Sequence, residues 1–294
     1  MNQTNPSTDG RLAGCVAVVT GASRGAGKGI AVALGAEGAT VYVTGRSREE
    51  GDAPLPGTIY ATAEAVTAAG GQGIAVACDH SDDDAVRDLF ARVQREQQRL
   101  DILVNNATYL HDRLIDKGPF WEKPLGLVDI LDVGLRSAYV ASWHAAPLML
   151  ARGTGLIAFT SSFGASCYMH GPAYGAQKAG VDKFARDMAV DLRAYGVAAV
   201  SIWMGMLRTE RTRRVMDQEP QKYAGFWDIA ETPEFTGHLL AALYRDPRRM
   251  ERSGQVLIGA ELALELGIND EGRQPPSHRP MLGAPAPGHP AIVE

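Results

Sequence analysis

The stretch TGASRGAG, residues 20–27, decides the fold of this chain. It follows the apolar run 16–20 and leads into a helix-like segment. Gly21 permits a tight turn, Gly25 lets the backbone approach a phosphate, and Gly27 lets the helix pack closely on the strand. The first turn of the helix then offers free N–H groups and a favourable dipole to an anion. The spacing G-x-x-x-G-x-G departs from the general dinucleotide fingerprint, so a flexible loop is the alternative; the position between strand and helix argues against it.

Strand-like and helix-like segments alternate outward from this turn, which is typical of βαβ units and a parallel sheet. The strand-like segments are apolar runs, as expected when helices cover both faces of a sheet: 16–20, 40–44, 74–78, 100–105, 156–161, 197–204 and 255–258. The helix-like segments are 29–34, 59–69, 82–98, 125–151 and 172–195. We therefore expect a single doubly wound α/β domain over residues 11–267. A flexible N-terminus at 1–10 and a C-terminal tail at 268–294 flank it, and the Pro/Gly/Ala-rich end of the tail is expected to be irregular or disordered.

The composition is that of an ordinary globular protein, with 45% hydrophobic and 21% charged residues. A net charge of -5 argues against nucleic-acid binding, which needs a basic surface. The three cysteines, Cys15, Cys78 and Cys167, stand at no metal-ligand spacing, so we expect no metal site and a reducing, cytoplasmic compartment. No segment is apolar over the ~18 residues that a membrane span needs.

A Y-x-x-x-K pattern, Tyr174 and Lys178, lies near the start of the helix-like segment 172–195. The four-residue interval brings both side chains to one helical face. Hydride delivery to a carbonyl leaves an alkoxide that must take a proton, and a phenol with a pKa of ~10 needs a neighbouring ammonium to lower that pKa. Lys178 can also hydrogen-bond a nicotinamide ribose. The pattern is common by chance on amphipathic helices; its place behind the segment TSS (160–162) favours a catalytic pair. His170, in the loop between, is interpreted as a solvated residue.

Together these motifs resemble those of the short-chain dehydrogenase/reductase family, over nearly the whole predicted domain. The resemblance implies a Rossmann-type sheet of about seven parallel strands. It also implies that Asp79 contacts an adenine, that Asn106 braces the sheet near the nicotinamide ribose, and that Ser162 hydrogen-bonds the substrate oxygen, with Ser161 as the alternative serine. Thr209 would hold the nicotinamide carboxamide, although a helix N-cap role is compatible with that assignment. The segments FWEKP (120–124), VGLR (133–136), DLRAYGV (191–197) and LGINDEGR (266–273) resemble the dehydrogenase/reductase member 1 branch, which implies carbonyl reduction by a reduced nicotinamide cofactor.

The second strand-like segment ends in TGRS, residues 44–47, without the acid that normally selects NAD by binding the ribose 2′-OH. Arg46 and Arg24, beside Ser23 in the glycine-rich turn, could converge on a 2′-phosphate, which suits guanidinium geometry. The alternative is that both arginines are solvated. We therefore expect NADP(H) as the preferred cofactor, with NAD(H) possible.

Two positions depart from the family pattern. Met204 stands where the family has proline before Gly205, and Gly134 stands where it commonly has an asparagine that holds a water near the lysine. Glycine supplies no side-chain amide, so we expect an extra water or backbone carbonyls to carry the proton, or else catalysis to be weak.

The expected substrate is a small carbonyl or alcohol in an apolar pocket formed by loop residues at the carboxyl ends of the strands: Phe120, Trp121, Phe163, Tyr168, Met169 and Met206. Phe120 and Trp121 could equally be core residues. The long segments 125–151 and 172–195 suggest a homodimer or homotetramer. A cofactor-binding sensor or scaffold without catalysis is the main rival function, and an isomerase or dehydratase on the same fold stays open.

Overall fold

The computed structural model describes residues 11–293, so the predicted flexible N-terminus lies outside the described residues. Seven parallel strands form one sheet in the order β3-β2-β1-β4-β5-β6-β7, which confirms the predicted Rossmann-type fold. The strands are β1 (Val16–Val19), β2 (Thr40–Gly45), β3 (Gln72–Ala77), β4 (Ile102–Asn105), β5 (Gly155–Ser161), β6 (Val197–Trp203) and β7 (Val256–Ile258). The helices are α1 (Gly25–Ala36), α2 (Ile59–Ala68), α3 (Asp83–Gln97), α4 (Ser137–Leu150), α5 (Pro172–Leu192), α6 (Glu210–Gln218), α7 (Phe226–Ile229), α8 (Phe235–Arg245), α9 (Gly259–Leu266) and α10 (Arg279–Leu282).

Helices cover both faces of the sheet, and successive residues of each strand point to opposite faces. Ala17 and Val19 face α1, α2 and α8, whereas Val16 and Val18 face α3, α4 and α5. Burial on both sides explains why the strands read as continuous apolar runs rather than alternating ones.

The chain reverses its direction across the sheet between β1 and β4. From β1 it winds outward through β2 and β3, then returns to β4 on the other side of β1. The loops after β1 and β4 therefore diverge at this point and leave a crevice at the carboxyl edge, where ligands bind in open α/β sheets. The Thr20 N–H donates to the Val104 carbonyl at 3.0 Å, so the glycine-rich turn is joined directly to the end of β4.

The prediction of one long helix over 125–151 is wrong. The chain forms a 3-10 segment over Leu125–Ile130, a π-type turn over Asp132–Arg136, and only then α4. Gly134 has φ 147°, which ends any helix there, and its N–H donates to Ser137 Oγ at 3.0 Å. The apolar pattern runs on through the break and therefore conceals it.

The C-terminal tail runs over the surface and contains the short helix α10. Arg279 donates from Nε and Nη2 to the two oxygens of Glu261 at 2.8 and 2.5 Å, and Ser277 Oγ donates to Glu261 Oε1 at 2.7 Å. Leu282 packs beside Phe163 and Trp203. These contacts hold residues 277–282 against the sheet edge that carries the candidate site. None of the helices within residues 11–293 is long and apolar enough to cross a membrane.

Candidate active site

The glycine-rich turn is fastened to the loop after β4 by one threonine and one asparagine. Thr20 Oγ1 accepts from the backbone N–H groups of Asn106 and Ala107, both at 2.9 Å. The Asn106 amide donates to the carbonyls of Thr20 and Gly21 at 2.9 and 3.1 Å. Asn106 is therefore part of the scaffold that shapes the turn.

Each of the three predicted glycines meets a local demand for a small residue. Gly21 and Gly25 have φ values of +65° and +56°, a backbone conformation that residues other than glycine rarely adopt. A Cβ on Gly27 would lie 2.4 Å from the Gly21 carbonyl oxygen and 2.5 Å from Asn106 Nδ2. Ser23, within the turn, is buried, and its carbonyl accepts from Thr62 Oγ1 at 3.4 Å.

The start of α1 is suited to an anion. Arg24 at the N-cap gives no side-chain hydrogen bond to the helix, and the first turn of α1 contains no acidic residue. When the cap residue and the first turn of a helix provide no side-chain acceptor, the free N–H groups at the helix start can bind a phosphate. One of them, the N–H of Gly25, donates to Glu210 Oε2 at 3.0 Å, a contact that the sequence did not predict. The residues present fit the pyrophosphate of a dinucleotide.

The two arginines of the predicted 2′-phosphate site have different surroundings. Arg24 donates to Pro56 O at 3.0 Å, to Gly57 O at 2.7 Å and to Ser47 Oγ at 2.8 Å, so its guanidinium is largely engaged. The Arg46 side chain is 62% exposed, and its Nη1 lies 3.8 Å from Asp79 Oδ2.

Asp79 is oriented by its neighbour in the chain. Ser81 donates to Asp79 Oδ1 from its backbone N–H at 2.9 Å and from Oγ at 2.7 Å. Burial opposes ionisation, but these bonds outweigh it and lower the pKa of Asp79. A charged Asp79 next to Arg46 places opposite charges at the end of β3, where the adenosine half of a dinucleotide would lie.

Ser162 and Tyr174 meet at the carboxyl end of β5. Ser162 Oγ and the Tyr174 hydroxyl are hydrogen bonded at 2.9 Å. Lys178 lies one turn further along α5, buried, with Nζ 5.5 Å from the Tyr174 ring centroid and donating to the Thr160 carbonyl at 3.2 Å. Ser161 instead faces away, with Oγ donating to the Lys178 carbonyl at 3.3 Å. Of the two candidate serines, Ser162 is the one in contact with the tyrosine.

The pKa values of this group differ from the simple expectation. Burial raises the pKa of Tyr174, and the hydrogen bond from Ser162 only partly opposes the rise. Burial also lowers the pKa of Lys178 to about 8, although the nearby Asp182 carboxylate favours the ammonium. Lys178 donates to the Thr160 carbonyl and forms no hydrogen bond with the phenol oxygen that would oppose this rise. Tyr174 thus holds its proton at neutral pH.

His170 is not the solvated residue predicted. It is half-buried, and its ring packs edge-on against Tyr174 at 5.0 Å between centroids. Its φ of 62° is unusual for a residue other than glycine. Burial, with Lys123 nearby, lowers the pKa of the imidazole, so it is neutral at physiological pH.

The turn after β6 is braced by a buried acid that the sequence did not single out. Glu231 Oε2 accepts from the Gly205 N–H at 3.1 Å, and the Glu231 backbone bonds to Met206 and Arg208 at 2.8 and 2.9 Å. Burial raises the pKa of Glu231 to about 8. These contacts hold the turn where proline is missing. Thr209 follows as the N-cap of α6, accepting from the Thr212 N–H at 3.2 Å.

The break at Gly134 faces the lysine helix. Gln177 Nε2 donates to the Gly134 carbonyl at 2.8 Å, and Gln177 directly precedes Lys178. Among the atoms of residues 11–293, Thr108 Oγ1, Gln177 Oε1 and Asn105 Oδ1 are buried without a hydrogen-bond partner. Gln177 lies inside the Y-x-x-x-K motif, yet nothing in the sequence indicates that its amide reaches position 134.

The predicted apolar pocket residues are divided between core and surface. Phe163 is buried and packs on Trp203 at 5.1 Å. Phe120, Trp121 and Tyr168 are exposed, so the alternative that the first two are core residues is wrong.

Comparison with known proteins identifies relatives of one enzyme family. A family model described as short chain dehydrogenase matches residues 15–220. The human protein named dehydrogenase/reductase SDR family member 1 is 42% identical over 276 residues, covering 89% of this chain and 85% of the human one. A 3β-hydroxysteroid dehydrogenase of Mediterraneibacter gnavus is 30% identical over 210 residues, 70% of each chain. A crystal structure of a short chain dehydrogenase from Mycobacterium thermoresistibile has a TM-score of 0.74 at 27% identity, covering 87% of this chain and 89% of that one.

Proposed function

The chain belongs to the short-chain dehydrogenase/reductase family of NAD(P)-dependent oxidoreductases, and from this premise we propose that it reduces an apolar ketone or aldehyde with NADP(H). The observation that carries the proposal is the 2.9 Å hydrogen bond between Ser162 and Tyr174, with Lys178 buried one helical turn away. This arrangement suits a carbonyl oxygen bound between two hydroxyl groups.

The proton chemistry follows from the surroundings of Tyr174. When bound, the reduced nicotinamide supplies the hydride. Tyr174, whose pKa burial raises, retains the proton that the developing alkoxide requires, so it acts as the general acid. Ser162 donates a hydrogen bond to the same oxygen and stabilises its charge. Lys178, as an ammonium, hydrogen-bonds the nicotinamide ribose and favours proton release from Tyr174.

Proton return to Lys178 takes a route set by the break before α4. Gly134 offers a backbone carbonyl but no side-chain amide, and Gln177 donates to that carbonyl. The unpartnered oxygens of Thr108 and Gln177 can bind a water beside it. We assign the relay to this backbone carbonyl and an added water.

The cofactor is held by residues from both halves of the sheet. Gly21, Ser23, Gly25 and Gly27 form the pyrophosphate turn, Asp79 contacts the adenine, and Thr209 the carboxamide. Arg46, exposed and beside Asp79, binds the 2′-phosphate that distinguishes NADPH from NADH, with Arg24 adding positive charge. The absence of an acid at residues 44–47 supports the same preference.

The protein assembles as a homodimer or homotetramer in the cytoplasm. Support for assembly comes from exposed apolar side chains on α4 and α5: Tyr139, Trp143 and Val190. Exposed apolar patches of this kind mark association surfaces.

The test is NADPH and NADH consumption against a panel of ketones and aldehydes, combined with cofactor titration. We expect turnover with NADPH, and Tyr174→Phe to bind cofactor normally while losing activity about 100- to 10,000-fold. Near-wild-type kcat in Tyr174→Phe would exclude Tyr174 as the acid. Binding without turnover by the wild type would instead favour a sensor.

The cofactor preference has its own test. Arg46→Ala should weaken NADPH binding about tenfold, the value of one charge-assisted contact, and leave NADH binding unchanged. Arg48→Ala, an exposed arginine two residues away, is the control. Equal wild-type affinity for the two cofactors would refute the preference.

A further inference from the structure

Glu210 joins two distant parts of the chain at the glycine-rich turn. Its Oε2 accepts from the Gly25 N–H at 3.0 Å, across 185 residues of sequence. A Cβ placed on Gly25 would lie 4.0 Å from that oxygen and 3.7 Å from Thr209 Cγ2. The beginning of α6 therefore lies directly over the beginning of α1, where α1 has no acid of its own.

We propose that Glu210 is an internal competitor for the cofactor pyrophosphate, and that α6 is a latch that releases the turn before a dinucleotide binds. The proposal rests on the proposed function only in requiring a dinucleotide ligand. A backbone N–H that donates to a carboxylate is not available to a phosphate oxygen. The two anions also repel each other when both lie at one helix start.

The charges around Glu210 favour the latched state. Arg24, at the N-cap of α1, attracts the carboxylate. Arg211, the next residue of α6, donates to the Leu110 carbonyl at 3.2 Å and lies 3.7 Å from Asp112. Residues 209–211 thus bridge the loops after β1 and β4 across the crevice.

Helix α6 can detach from the glycine-rich turn at low cost, because little of it is buried. Met216 is the one buried residue of α6, and the helix otherwise carries polar and partly exposed side chains. Segments with little apolar burial open at low free energy, and the contacts of Glu210 and Arg211 are themselves only partly buried. Closure of Glu210 lowers apparent cofactor affinity, because only the open fraction binds. It also promotes release of the product cofactor.

The experiment compares Glu210→Ala and Glu210→Gln with Asp217→Asn in the full-length protein. Asp217 is exposed on the same helix, so Asp217→Asn controls for the change in net charge. NADPH and NADH are the probes, followed by equilibrium fluorescence titration and by stopped-flow association. We expect Kd for both cofactors to fall about tenfold in Glu210→Ala, the equivalent of one hydrogen bond to a charged group. Glu210→Gln, which keeps an oxygen acceptor without the charge, should show a smaller gain, and Asp217→Asn should stay within about twofold of the wild type.

The outcomes separate the two proposals. Unchanged or weaker binding in Glu210→Ala, with a wild type that binds, overturns the latch and leaves the reductase proposal intact. An equal gain in Asp217→Asn also overturns it, because the effect is then one of net charge. Failure of every form to bind either dinucleotide overturns both. Tighter binding without turnover supports the latch and refutes the reductase.

Discussion

The glycine-rich turn and the bend before α4 both depend on a glycine with positive φ, and both contact the loop after β4. A Cβ on Gly21 would lie 2.6 Å from Ala107 Cα, and one on Gly134 would lie 3.0 Å from Thr108 Oγ1. The turn is recognisable from the sequence, whereas the bend is hidden inside an apolar pattern. The difference is that the glycines of the turn form a recognisable spacing, G-x-x-x-G-x-G, whereas Gly134 belongs to no such pattern and is required only by its contacts with Thr108 and Gln177, which are distant in the chain.

The largest expected effect comes from adding one carbon to the turn. Gly27→Ala would place a Cβ against the Gly21 carbonyl and Asn106, neither of which can move freely. We expect about 3 kcal/mol less free energy of unfolding, the upper end for overpacking, and loss of cofactor binding. Urea denaturation with and without NADPH measures both.

A matched glycine serves as the control for this change. Gly126 has no positive φ, and its nearest contact would be an ordinary 3.6 Å from Asp129. Gly126→Ala should leave unfolding and binding unchanged. If Gly27→Ala behaves the same way, the turn is far more adaptable than its packing indicates.

The bend should respond to substitution less strongly. Gly134→Asn restores the asparagine of the family pattern, but it forces a side chain into φ 147° and against Thr108. The expected cost is about 1–3 kcal/mol of unfolding free energy, because such backbone strain has that size. kcat should fall or stay level, because the Gln177 contact to the carbonyl is disturbed.

Gly134→Ala adds only the Cβ, whereas Gly134→Asn adds the Cβ and a side-chain amide. Comparing the two variants therefore separates the effect of backbone strain from the effect of the amide. Equal stability losses in Gly134→Ala and Gly134→Asn would attribute the cost to the backbone. A clear gain in kcat in Gly134→Asn would contradict the rerouted relay and indicate that the relay is impaired in the wild type.

The contrast between a local spacing pattern and contacts with distant segments also explains which features of the fold and the site could be predicted from the sequence. The strand predicted at 156–161 corresponds to Gly155–Ser161, which is buried throughout, because doubly buried strands need apolar runs. The one predicted at 74–78 corresponds to Gln72–Ala77, an edge strand in which only Val76 is buried, so its polar start lies outside the predicted run. Tyr174 and Lys178 could be found because their relation is local to one helix turn. Their pKa values could not, since they depend on burial and on where the Lys178 ammonium points.

Contacts between distant segments escaped prediction for the same reason. Glu210 on Gly25, Glu231 on Gly205 and Gln177 on Gly134 each join a side chain to a backbone group far away in sequence. None of the three side chains occupies a defining position of a spacing pattern. His170 appeared to be an ordinary loop residue because its contact with Tyr174 depends on how the loop folds back.

The smallest expected effect is the pH dependence of reduction, which tests Lys178, the residue next to the Gln177 that contacts the bend. Burial lowers the pKa of Lys178 to about 8, so the ammonium is present below that pH and lost above it. Tyr174 keeps its proton over the same range because burial raises its pKa. Reduction should therefore be level below pH 7 and fall about twofold by pH 8, where half of Lys178 is neutral. Lys178→Arg retains its charge throughout and should abolish this decline, although at a lower rate. The bend contributes if Gly134→Asn shifts the midpoint, since Gln177 joins Gly134 to the residue beside Lys178. A wild-type rate that rises between pH 7 and 9 would show that the charged lysine is not required.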